Sequence, residues 1–174
     1  YGTGVQYTDA KGNSLTPWTL TEGMELYAFW IDSALSFTQT KVNGKDVYAV
    51  SAGESIALVD EITIPATFKG LPVAMISGNA FMNCTNLKVI NLPETLQQIS
   101  LINPFTGCTN LEAINVYDVE GENAGRYWSQ DGVLFDNTTA GGTQAKIAYM
   151  PLAKTGIYRI PFGIVEIPEK AFAG

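Results

Sequence analysis

A chain of 174 residues with 46% hydrophobic and 16% charged side chains can fill a core, which excludes a disordered polymer. Its 10 basic and 17 acidic side chains leave a net charge of -7, which excludes nucleic acid and anionic lipid surfaces as natural partners. Histidine is absent and cysteine occurs twice, at Cys84 and Cys108, so Cys–His and Ser–His–Asp nucleophiles and His-ligated zinc sites are excluded too.

No apolar run approaches the roughly 18 residues of a membrane-spanning helix, and neither membrane insertion nor a cofactor is expected. The chain opens at Tyr1 rather than Met, so an upstream part is expected to have been removed.

In chain order, Thr8–Asn13 is rich in turn residues and Met24–Ile31 is an aromatic strand. A small β module is placed at 1–31. Asn43-Gly44, between the runs Thr38–Val42 and Lys45–Val50, signals a hairpin. It is read as part of a β cap at about 32–60.

From residue 61 the chain repeats itself. FMNCTNLKVINLPETL from Phe81 aligns with FTGCTNLEAINVYDVE from Phe105, pairing Cys84 with Cys108, Leu87 with Leu111 and Ile90 with Ile114 at a spacing of 24 residues. That period falls within the range of leucine-rich coils. Leu87, Ile90 and Leu92 face inward under the pattern L-x-x-L-x-L. Lys88, Val89 and Asn91 then face outward, followed on the next coil by Glu112, Ala113 and Asn115. Apolar-Pro pairs recur at Ile64-Pro65, Leu92-Pro93 and Ile160-Pro161, where a proline without an amide helps to end a strand.

The period breaks between Val116 and Ile160. Asp131-Gly132 reads as a tight turn, Thr138–Thr143 as a loop and Lys146–Met150 as a further apolar run. Together they predict a β-hairpin inserted at about 120–150. A third, partial unit follows, with Ile167–Phe172 matching Ile76–Phe81.

The stretches IPATFKGLPVAMISGNAFMNCTNLKVINLPETL, SQDGVLFD, IAYMP and IPFGIVEIPEKAFAG resemble the BspA-like (Treponema-type) leucine-rich repeat over about residues 60–174. Pro104 replaces the usual Ala before Phe105, and one extra residue lies between Ile99 and Phe105. Tyr7–Trp30 is similar to the second half of a Listeria–Bacteroides (internalin B-type) repeat. The resemblance implies a mainly β fold: a leucine-rich-repeat solenoid, a right-handed β/α superhelix of short repeats, with the β cap and β module at its N-terminus. It also implies a secreted or cell-surface bacterial protein engaged in adhesion or host contact.

Several residues carry both a chemical and a packing reading. Cys84 and Cys108 are expected as reduced thiols in a ladder, because parallel side chains make a disulfide torsion awkward. Asn86 and Asn110 are read as turn residues bonding nearby backbone. Tyr127 and Trp128 either pack the hairpin or form a sugar-stacking surface. The carboxylates show no recurring pair of the kind a glycosidase needs. Asp118, Glu120 and Glu122 form a solvated acidic loop without a calcium-loop spacing.

The expected activity is therefore non-catalytic binding of an extracellular protein or glycan. Lys88, Asn91, Glu112, Asn115, Tyr127 and Trp128 are the candidate contacts, and no residue is assigned to catalysis, metal or cofactor. A structural spacer is the alternative. The last coil exposes apolar side chains, so the chain is expected to continue past Gly174 or to associate with itself through that end.

Overall fold

Strand pairing begins at Leu35, which is buried. The computed structural model describes residues 34–100, 102–117, 125–137 and 145–168; the β module read at 1–31 and the acidic loop at 118–122 lie outside them. Strands β1 (Leu35–Val42) and β2 (Lys45–Ala52) form an antiparallel hairpin in unbroken register from Leu35 against Ala52 to Val42 against Lys45. Its turn holds Asn43 at φ 51 and Gly44 at φ 78. Asn-Gly adopts that left-handed pair at little cost, and its twist matches that of the strands.

One 3-10 turn, Ile56–Leu58, leads into β3 (Glu61–Thr63). The chain continues through β4 (Thr67–Phe68), β5 (Leu71–Ile76), β6 (Val89–Pro93), β7 (Gln98–Ile99) and β8 (Ala113–Tyr117). The coils build two sheets from these strands. In one, β3, β6 and β8 run parallel, with Ile62 beside Ile90 beside Ile114 and Thr63 beside Asn91 beside Asn115. In the other, β5 lies parallel to both β2 and β7, and Ile76 stands beside Ile99.

The core lies between the sheets and is made of like residues stacked on like. Leu87 over Leu111 and Ile90 over Ile114 are all fully buried. The Phe81 and Phe105 rings stack at 5.9 Å and 16°. Each such side chain contributes about 1.5–3 kcal/mol of burial.

The connecting side of each coil is made of turns held by ladders that run from coil to coil. The Phe81 amide donates to the Pro104 carbonyl at 2.8 Å, Asn83 to Thr106 at 2.8 Å, and Ala52 to Ala80 at 2.7 Å. Neighbouring coils thus satisfy groups that a helix would satisfy internally. At position 104 the ladder uses the carbonyl and not the amide, which is why proline is tolerated there. Gly107, at φ 75, leaves room for the previous coil, since a Cβ on it would stand 2.2 Å from Asn83 Oδ1.

The interruption after β8 ends the parallel sheet. Strands β9 (Tyr127–Gln130), β10 (Val133–Asp136), β11 (Ala145–Tyr149) and β12 (Ile164–Glu166) form a third sheet, of four strands in the order β12-β11-β10-β9. The turn Asp131-Gly132, at φ 50 and φ 76, sits on the free edge of β8. There the Ile114 amide donates to the Gly132 carbonyl at 2.9 Å, and the Val116 amide to Ser129 Oγ at 2.7 Å. Arg126 clamps the hairpin to the coil behind it. Its guanidinium meets both oxygens of buried Asp136, at 3.1 and 3.0 Å, and reaches the Gln97 carbonyl at 3.0 Å. β12 joins β11 in parallel just as β5 joins β2, so a hairpin followed by a coil strand recurs as a larger unit.

Candidate functional site

The outward face of β3, β6 and β8 gathers four of the residues singled out from the sequence. Lys88 and Glu112 are exposed, and Asn91 and Asn115 are half-buried. Register places each on the neighbour of its counterpart. The Asn115 side-chain amide donates to Asn91 Oδ1 at 3.0 Å, and the Asn91 amide donates to Glu61 Oε1 at 2.9 Å and Thr63 Oγ1 at 3.1 Å. Alongside runs a charged row, in which Lys88 Nζ lies 3.5 Å from Asp60 Oδ2 with both side chains about half exposed. Such a pair contributes little to stability, but it orients the ammonium.

Tyr117 closes this face. It lies beside Pro93 in register, and its hydroxyl donates to the Ile64 carbonyl at 2.7 Å. Burial raises its hydroxyl above the usual range. The sequence reading missed it, although the alternation that turns Asn115 outward also turns residue 117 outward.

Tyr127 is not on this face. Only 3% of it is exposed, and its Oη accepts the Ile99 amide at 2.9 Å, so it ties the hairpin to the core and offers no surface to a ligand. Burial pushes its hydroxyl up. Trp128 is half-buried and stacks on Phe135 at 4.2 Å and 16°, with Nε1 donating to Asn137 Oδ1 at 2.9 Å.

Asn86 and Asn110 do not serve local turns. The Asn86 amide donates to the Ala57 carbonyl, and the Asn110 amide to Thr85 at 2.7 Å. Each thus reaches a backbone carbonyl on the preceding coil.

Cys84 and Cys108 are both free thiols and both buried. The Cys108 thiol donates to the Phe81 carbonyl at 2.9 Å. Its hydrogen bond with Cys84 and its burial push it above the ordinary thiol range, which makes it a packing group and a poor nucleophile. Among the described residues, no three His, Cys, Asp or Glu side chains cluster to hold a metal ion.

One feature at the far end, a recess, was not anticipated from the sequence, and it lies beside the exposed apolar side chains expected of the last coil. The recess, of about 430 Å³, opens beside the Asp131 turn, lined by Asp131, Lys154, Thr155, Ile157, Tyr158 and Arg159. The Lys154 ammonium donates to the Asp131 carbonyl and stands 5.6 Å over the Tyr158 ring, whose hydroxyl donates to the Gln130 carbonyl at 3.3 Å. Burial and the nearby Asp131 charge raise that hydroxyl above its usual range. Next to the recess, Ile157 and Phe162 are 97% and 107% exposed, and Ile160, Val165 and Ile167 are also open to solvent. Ile64 and Ile76, which match Ile160 and Ile167 in the repeat, are fully buried under the next coil.

Among solved structures, the chain is similar to the T. pallidum leucine-rich repeat protein, with 26% identity, a TM-score of 0.39, and 45% of this chain and 35% of that one covered. It is also similar to a leucine-rich repeat protein from Bacteroides ovatus, with 21% identity, a TM-score of 0.46, and 84% of this chain and 33% of that one covered. The chain spans about a third of the length of each. No curated protein matches it. The model of the BspA type leucine rich repeat region matches residues 55–174 in six copies, which leaves residues 1–54 outside the match. Stacked coils and matched repeats agree, and the chain belongs to the BspA-type leucine-rich repeat family.

Proposed function

We propose that the chain is a non-catalytic binding module of a secreted or surface-displayed protein, and that it docks an extracellular protein or glycan on the outer face of β3, β6 and β8. Lys88, Asn91, Glu112 and Asn115 are its contact residues, with Tyr117 at the margin. The observation that carries this reading is the row of polar side chains held in one orientation by Glu61, Thr63 and Asn91. Groups fixed before binding lose little conformational entropy on binding. The family is commonly secreted or displayed, and among the described residues no helix is long and apolar enough to cross a membrane.

A glycan and extracellular-matrix protein array with the intact chain, compared with the Lys88→Ala/Asn115→Ala double variant, tests the proposal. Selective binding that the variant loses supports it, and binding that the variant retains moves recognition elsewhere. The second reading, a spacer without its own ligand, is favoured by the mutual satisfaction of the same polar groups, Lys88 with Asp60 and Asn91 with Glu61. It expects no selective binding from either protein.

A further inference from the structure

We infer that the recess beside the Asp131 turn is a second binding site, and that it takes a carboxylate-bearing sugar such as a uronic acid. Its volume of about 430 Å³ lies in the range of small-molecule sites, and two of its lining side chains are tied to the hairpin turn. Tyr158 is tied to the Gln130 carbonyl, and Lys154 is held between the Asp131 carbonyl and the Tyr158 ring. Lys154 thus places a positive charge at the recess. Arg159 is exposed and lines the recess, where its planar fork suits a carboxylate bound through two hydrogen bonds.

The remaining lining selects among anions. Asp131 brings a negative charge into the same recess, which opposes a dianionic phosphate or sulfate but accepts the hydroxyls of a neutral ring. Thr155 adds a donor and acceptor of the same kind. The Tyr158 ring and the 97%-exposed Ile157 offer an apolar wall for the carbon face of a sugar. One carboxylate, several hydroxyls and one apolar face match this set. An acidic amino-acid side chain has the carboxylate alone.

The test is an NMR titration of the intact chain with D-glucuronate, using glucose and N-acetylglutamate as controls and following the Arg159 Nε–H and the Thr155 and Ile157 amides. Glucuronate is expected to shift these signals in a saturable way, with weaker binding at higher salt. Glucose and N-acetylglutamate should each bind at least about tenfold more weakly. Arg159→Ala, a change at an exposed residue, is expected to weaken glucuronate binding about tenfold or more, and Arg159→Lys by less. Absence of saturable shifts, equal binding of either control, or no effect of Arg159→Ala would overturn the inference. The test is independent of the sheet-face proposal, because an array ligand lost by Lys88→Ala/Asn115→Ala but unaffected by Arg159→Ala leaves that proposal standing.

Discussion

Asn110 gives its side-chain amide to the Thr85 carbonyl on the coil before it, and the bond ties two successive coils that share no disulfide. Replacing it with alanine is expected to cost about 1 kcal/mol, seen as a lower urea midpoint with an unchanged slope. An unchanged midpoint would show that water replaces the tie in full. Tyr149 reports on the core in another way. Its ring lies 5.1 Å from that of Phe105, its hydroxyl donates to the Phe105 carbonyl at 3.4 Å, and burial first, then Cys108, push it up to about 12. The folded chain therefore keeps a proton that the unfolded chain releases near pH 10. The stabilisation from this group is complete below about pH 10 and is lost as pH rises towards about 12. Urea unfolding at about pH 9 and about pH 11 should show stability falling, and Tyr149→Phe should make that fall shallower.

At the scale of elements, the two hairpins use the same turn chemistry in different surroundings. Gly44 has nothing within 4 Å of where a Cβ would stand, whereas a Cβ on Gly132 would lie 2.7 Å from Ala113 Cβ and 2.9 Å from Ala113 Cα. Both glycines have positive φ, so alanine at either position costs about 1–2 kcal/mol for backbone strain alone. Gly132→Ala is expected to lower the thermal midpoint more than Gly44→Ala, because it also lifts the hairpin from β8. Faster hydrogen exchange at the Ile114 amide, which donates to Gly132, is the specific signature of that lifting. Equal losses for the two variants would mean that the hairpin does not rely on close contact with β8. Asn43-Gly44 and Asp131-Gly132 are both readable as turns, since φ preference is local. The docking of the second turn on the edge of β8 is not, because Ile114 and Gly132 meet only after the chain has coiled.

For the whole molecule, the unbalanced feature is the open apolar stretch from Ile157 to Ile167. Exposed apolar side chains in a repeat array favour association with another surface. The isolated chain is expected to self-associate as concentration rises, and the Ile157→Ser/Phe162→Ser double variant to do so less. Sedimentation velocity over about two decades of concentration measures this, and a monomer throughout for the parent chain would count against it.

The sequence by itself determined the coil. A 24-residue period puts like residues at like places, so the Leu87–Leu111, Ile90–Ile114 and Phe81–Phe105 ladders and the outward set of Lys88, Asn91, Glu112 and Asn115 follow from spacing alone. Tertiary structure decided what meets across coils and across the insertion. It turned Tyr127 into a core tie, sent the Asn86 and Asn110 amides to the preceding coil, and assembled one recess from Asp131 and residues 154–159. The physical reason is that periodicity specifies which face a side chain takes, while a partner far along the chain depends on how the coils and the hairpin stack.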